Sequence, residues 1–305
     1  MTKTIQIFFF TLLFIITACS SRNTTKTALT VEEERKLADE AMAEMLKDYP
    51  PAKNQALQNY INQLGQKIVK ANNLDNNPYK YTFTVVDAKM VNAFALPAGK
   101  IFITAPIIAM ADSEAEIAGV IGHEIGHVTE RHTAKRMYTA KKEQNKMWIF
   151  GGVGAAIGGA GGYLLADKLC AKGDSACRAK YTVYGAGAGG LGGLMVQKYG
   201  FMKNSQEDEL ESDRVGFKYA ANAGYDKNKV GDFYLKLAQM EKEAKKGQNA
   251  LMSWIGDAMA SHPPSEARVK QAEKLKGEIH SSGKLVSSSE FSEMKKQARQ
   301  IAEKK

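Results

Sequence analysis

The stretch that decides the fold runs from Ser113 to Lys142, SEAEIAGVIGHEIGHVTERHTAKRMYTAKK, with Gly122-His123-Glu124-Ile125-Gly126-His127 near its centre. Ser113 and Glu116 have the capping-box pattern of a helix start. Ile117, Val120, Ile121 and Val128 supply apolar positions at helical spacing. The pattern predicts one long helix from Ser113 to about Lys142. Two histidines four residues apart share a helix face, one turn apart, so both rings can reach one tetrahedral zinc ion. The glutamate between them faces a metal-bound water and can act as its general base. The alternative is a pair of ordinary helix histidines. The chain has five histidines in 305 residues, and a chance H-E-x-x-H in such a chain is below about 1%.

A catalytic zinc needs a third protein ligand and an open fourth position. The extension H-E-x-x-H-x-x-G-x-x-H fails, because Glu130 and Thr133 stand where glycine and histidine are required. His132 is one position out of register and reads as a structural or surface histidine. Downstream, residues 207–216 read EDELESDRVG. Glu209 and Asp213 are i and i+4 on one helix face, and a carboxylate third ligand gives a His₂Glu set. The residues by themselves leave Glu209, Glu211 and Asp213 open.

Outward from these motifs, helices alternate with a few strands. Thr30-Val31-Glu32-Glu33 caps a helix that runs to about Asp48 and stops before Pro50-Pro51. A second helix covers roughly Ala56–Lys70, with Leu57, Ile61, Leu64 and Ile68 on one face. Tyr79–Asp87 alternates like a strand. Val91–Leu96 and Ile101–Thr104 flank the turn Pro97-Ala98-Gly99-Lys100 as a hairpin. Further helices are expected at Glu207–Ala223, Lys227–Lys245 and Glu266–Lys276. A last, polar and basic helix is expected within residues 281–305. The fold class is α+β, mainly α-helical, with a small β-sheet beside the H-E-x-x-H helix.

Residues 1–18, MTKTIQIFFFTLLFIITA, have a positive start and a short apolar run. Ala18-Cys19 after it resembles the lipobox of bacterial lipoproteins. That resemblance implies cleavage before Cys19, lipidation of its thiol and, with Ser20 following, sorting to the outer membrane on its periplasmic side. Residues 19–30 then form a tether. Export reaches an oxidising compartment, where Cys170 and Cys177 in LCAKGDSAC can form a local disulfide. Two glycine-alanine runs at about 147–196 read as a helical hairpin insert. It can pack over the site, touch a membrane or form a flexible loop. Composition is that of an ordinary globular protein, 44% hydrophobic and 25% charged. The net charge of +9 reads as a solvated surface, and no basic stripe interleaved with aromatics points to nucleic acid.

The chain resembles the family-48 zinc metallopeptidases, the group of HtpX and the CAAX prenyl proteases, and within it the periplasmic lipoprotein members. The likeness covers about residues 31–280. It rests on His123-Glu124-Ile125-Gly126-His127 and the distant Glu209-Leu210-Glu211-Ser212-Asp213. It implies a zincin-like metalloprotease domain with one Zn²⁺ per chain, held by His123, His127 and Glu209. It makes Glu124 the general base and Asp213 the carboxylate that orients a ligand histidine. Asn92, Ala93, Phe94 and Ala95 resemble the strand that pairs with substrate. Ser261-His262-Pro263-Pro264-Ser265-Glu266-Ala267-Arg268 resembles a His-Pro segment, in which His262 is either a fourth, regulatory ligand or an oxyanion stabiliser, and Arg268 forms a salt bridge nearby. Ser212 departs from the family's usual alanine. The implied function is an endopeptidase acting on misfolded or unassembled envelope proteins. The rival is a latent or chaperone-like assembly factor with a closed zinc site. Expected partners are envelope proteins and, through Cys19, the membrane. A third reading, a membrane-perturbing lipoprotein built on the glycine-rich hairpin, leaves H-E-x-x-H unexplained.

Overall fold

Thr30 and Glu33 cap each other's backbone N–H groups as the sequence predicts, and helix α1 (Val31–Asp48) starts there. Helix α2 (Gln55–Ala71) follows, capped by Asn54. This is a computed structural model, and it describes residues 29–139, 203–244, 246, 255–256, 258, 261–263 and 266–304. Cys19, Cys170, Cys177, the leader and the glycine-rich hairpin lie outside the described residues.

Strand β1 (Thr82–Val86) comes next, followed by β2 (Ala93–Leu96) and β3 (Lys100–Thr104). They form a three-stranded sheet ordered β1-β3-β2, with β1 parallel and β2 antiparallel to β3. The predicted hairpin is therefore present, and among the described residues β2 is an edge strand. Side chains alternate between the two faces of the sheet. Phe94 and Phe102 stack at 5.1 Å and face Met45 of α1 and Tyr49 just after it. Ile101 and Ile103 face the main core, which α2 fills with Leu57, Ile61, Leu64 and Ile68.

Helix α3 (Ala105–Met110) leads into α4 (Glu114–Thr129), the H-E-x-x-H helix, with Ser113 as its N-cap. The single long helix expected from Ser113 to Lys142 is not what forms. It breaks at Arg131, which takes the left-handed conformation at φ +59°, and helix resumes at 132–139. A non-glycine residue there costs about 1–2 kcal/mol. The break is held by distant partners: the Arg131 guanidinium donates to Glu34 of α1 at 2.7 Å and to the Leu29 carbonyl at 2.8 Å. No local glycine or proline announces it.

After the undescribed stretch come α5 (Gln206–Asn222), α6 (Lys227–Val230), α7 (Asp232–Ala244), α8 (Glu266–Glu278) and α9 (Phe291–Ala302). The helix expected over Lys227–Lys245 is two, divided at Gly231, whose α-carbon faces the Phe217 ring with little room for a side chain. The last helix is not wholly polar: Phe291, Met294, Ala298 and Ile301 form an apolar stripe in the main core. Glu114, at the start of α4, is a buried hub that accepts from Tyr60 and Tyr225 hydroxyls at 2.7 and 2.6 Å and from Ser288. Among the described residues no helix is long and apolar enough to cross a membrane.

Candidate metal centre

Helices α4 and α5 approach closely because glycine faces glycine. A methyl group at Gly122 would meet the Gly216 carbonyl oxygen at 2.4 Å, and one at Gly216 would meet the Gly122 carbonyl carbon at 2.5 Å. A methyl group at Gly126 would meet the Val215 side chain at 2.9 Å and the Ser212 carbonyl oxygen at 3.0 Å. This contact carries His123 and His127 on α4 up to Glu209 and Asp213 on α5. A capping box between Ser205 and Asp208 fixes where α5 begins.

Four ligand atoms converge there: His123 Nε2, His127 Nε2, a Glu209 carboxylate and His262 Nδ1. The His123–His127 separation is 3.0 Å. Glu209 lies 3.3 Å from His123, 3.2 Å from His127 and 3.0 Å from His262. His262 Nδ1 is 3.3 Å from His123 Nε2. Zinc bonds of about 2.0–2.2 Å in a tetrahedron separate ligand atoms by roughly 3.3–3.5 Å, so these residues fit zinc. The other nitrogen of each imidazole has its own partner. His123 Nδ1 is 2.8 Å from Asp213, His127 Nδ1 is 2.9 Å from Ser212 Oγ and from His132 Nδ1, and His262 Nε2 donates to the Ala93 carbonyl at 2.9 Å. With those nitrogens as donors, three lone pairs and a carboxylate point at one place. Of the three carboxylates the sequence left open, Glu209 enters the cluster. Glu211 reaches outward to His132 at 3.3 Å, and Asp213 sits behind His123.

Electrostatics matches this layout. Burial opposes a charge on His123, yet Glu209 and Asp213 outweigh it and raise its pKa to about 9; a bound cation would replace that proton. Burial and the His123 charge hold His127 well below its ordinary value. Burial resists ionisation of Glu209, but the Arg268 and histidine charges keep it well below the usual carboxylate range. Arg268 supplies this from behind, donating from Nε and Nη2 to both Asp213 oxygens at 2.7 Å while Nη1 pairs with Glu209.

Glu124 is buried, and burial raises its pKa. Its Oε1 lies 3.6 Å from His262 Nε2, and its Oε2 has no hydrogen-bond partner among the described residues. A small apolar pocket adjoins it, lined by Ile107, Val120, Phe233, Leu237 and Ala258 together with His123 and Glu124.

Just before β2, the Asn92 carbonyl accepts from the Thr104 N–H of β3. Alternation then turns Ala93 and Ala95 outward, along the free edge. Both outward carbonyls are taken: Ala93 by His262, Ala95 by the Thr133 hydroxyl at 3.0 Å. Asn92 lies just before the strand, and its side chain accepts from Ser261 at 3.1 Å, which secures the His262 segment. Phe94 points under α1.

Asn204 has no place in the sequence reading. It is 5% exposed, and its Nδ2 is 3.2 Å from both His127 Nε2 and His262 Nδ1. The only sequence signal is its position beside Ser205, the α5 N-cap. His132, read as structural or surface, is buried and backs His127.

The profile of Peptidase family M48 matches residues 55–276. The chain is 26% identical over 245 residues to the beta-barrel assembly-enhancing protease of Yersinia pestis, which covers 80% of this chain and 44% of that protein. The protein of the same name from Escherichia coli K12 is 25% identical over 244 residues, again 80% and 44%. The mitochondrial metalloendopeptidase OMA1 of Arabidopsis thaliana is 28% identical over 186 residues, 61% and 30%. The chain thus spans less than half the length of these relatives.

Proposed function

Because the chain belongs to peptidase family M48, we propose that it is a zinc-dependent metalloendopeptidase of the bacterial cell envelope, cleaving misfolded or unassembled envelope proteins. The observation that carries this reading is the cluster of ligand atoms 3.0–3.3 Å apart beside the buried Glu124. His123, His127 and Glu209 would hold one zinc. When bound, that ion polarises a peptide carbonyl and acidifies a water. Glu124 takes the proton of the attacking water and returns it to the leaving amine; its burial, which favours the protonated form, suits that exchange. Asp213 orients His123, and Arg268 keeps both Asp213 and Glu209 ionised. An extended substrate pairs with the outward edge of Ala93 and Ala95 in place of the His262 and Thr133 side chains that hold their carbonyls. The chain works from the outer membrane through a lipid on Cys19, with Cys170 and Cys177 bonded.

The test is metal analysis together with cleavage of unfolded casein. About one zinc per chain and cleavage abolished in a zinc-retaining Glu124→Gln variant are expected. Cleavage retained by that variant refutes the mechanism.

A second reading, a latent or chaperone-like assembly factor, is favoured by His262. Its Nδ1 takes the fourth ligand position and its Nε2 takes the Ala93 carbonyl, so one side chain covers both the water site and the substrate edge. His262→Ala then raises cleavage. Zinc without cleavage in either chain supports the assembly role.

A further inference from the structure

We propose that Asn204 is a further catalytic residue, whose side-chain amide donates a hydrogen bond to the carbonyl oxygen of the scissile peptide as that oxygen becomes an oxyanion; this rests on the peptidase reading above. Asn204 is 5% exposed and held in place by its backbone, whose N–H donates to the Ser261 carbonyl at 3.1 Å. Its Nδ2 is 3.2 Å from His127 Nε2 and from His262 Nδ1, and its Oδ1 has no hydrogen-bond partner among the described residues.

Neither nitrogen is a lasting acceptor. A lone pair committed to a cation accepts no hydrogen bond, and His127 Nε2 and His262 Nδ1 both lie in the ligand cluster. A loaded, closed site therefore leaves a buried amide unsatisfied, at about 1–3 kcal/mol for each orphaned group. Opening resolves this. When His262 withdraws to expose the fourth position and free Ala93, an oxygen that replaces Nδ1 lies 3.2 Å from the amide nitrogen. Donors to an oxyanion act at about 2.7–3.1 Å, within a small side-chain adjustment. His262 cannot be in the cluster and beside a substrate oxygen there at once, whereas Asn204 needs only that small adjustment. A carboxamide also donates without changing its charge over the working pH range.

The experiment uses the full-length zinc-loaded protein with His262→Ala as the common background, so that the fourth position is open throughout. Asn204→Ala and the isosteric Asn204→Asp, which lacks the donor, are added separately. Three quantities are read: casein cleavage, zinc affinity by chelator competition, and the directly measured affinity for phosphoramidon, whose phosphoryl group mimics the tetrahedral oxyanion. The dipeptide Leu-Trp, which lacks that group, is the control. Expected is a loss of about 10²-fold in turnover and in phosphoramidon affinity for both variants. Zinc affinity in the alanine variant and Leu-Trp binding should stay within about threefold, smaller than the loss of a single donor. Unchanged phosphoramidon affinity overturns the inference, as does a loss fully matched by lost zinc affinity, or no phosphoramidon binding by any zinc-loaded chain. Absence of Glu124-dependent cleavage in the background chain refutes the peptidase reading instead, and the phosphoramidon comparison still decides whether Asn204 donates.

Discussion

Replacing Gly216 by alanine separates two effects that usually run together. Alanine is the better helix former, by about 1 kcal/mol, so propensity predicts a more stable α5. The structure predicts the reverse. The new methyl carbon would lie 2.5 Å from the Gly122 carbonyl carbon and the His123 nitrogen, and 2.6 Å from the His123 α-carbon. Ordinary contact begins at 3.4 Å, and helix backbone cannot rotate aside. The helices must part by about 1 Å, and overpacking of this kind costs about 1–3 kcal/mol. The same movement lengthens the 3.3 and 3.2 Å separations of Glu209 from His123 and His127 beyond the roughly 3.3–3.5 Å that a tetrahedral zinc spans. Zinc affinity should fall at least about 10-fold, the lower end of what disturbed ligand support causes. Denaturant midpoints of the metal-free chain read the packing, and chelator competition reads the site. Gly277→Ala on α8, where a methyl would meet nothing within 4 Å, is the control and should be neutral or stabilising. If Gly216→Ala matches Gly277→Ala in both readouts, the close contact of α4 and α5 does not assemble the site.

Three other outcomes follow from named contacts. Arg268→Met leaves Asp213 and Glu209 buried without their cation and should destabilise the metal-free chain by about 3–5 kcal/mol; an unchanged denaturant midpoint would contradict that. Glu114 is held below its ordinary 4.5 because hydrogen bonds from Ser288, Tyr225 and Tyr60 outweigh burial. A depressed folded pKa adds stability that is complete above 4.5 and is lost as pH falls through the lowered value. Glu114→Gln should therefore flatten the acid limb of a stability–pH curve, and parallel curves would sink the assignment. Chelation of zinc should lower the melting temperature, since a ligand at 1,000 times its Kd stabilises the folded state by about 4 kcal/mol; identical melting with and without metal would exclude a specific site.

What the sequence made legible was local. The Thr30 and Ser113 caps, the β2–β3 hairpin and the H-E-x-x-H face all depend on residues within a few positions of one another, and they appear where the pattern puts them. The break at Arg131 was not legible, because its partner Glu34 is 97 residues away. The choice among Glu209, Glu211 and Asp213 depends on how α5 is rotated against α4, which Gly122 and Gly216 set through space. Asn204 escaped for the same reason, since its neighbours His127 and His262 lie 77 and 58 residues away in sequence. The apolar stripe Phe291, Met294, Ala298 and Ile301 has helical spacing and was readable; the surrounding lysines and glutamines hid it.

The turn at Arg131 also sets where force enters the molecule. Leu29 is bonded through its carbonyl to a side chain at the end of the H-E-x-x-H helix, and Glu34 doubles that attachment one helical turn later. A load on the chain ahead of Leu29 is therefore shared by the hydrogen bonds that Arg131 donates to Leu29 and Glu34 and by the packing of α1 on the sheet. Arg131 is four residues from His127, so the start of the described chain and the ligand helix share one anchoring side chain.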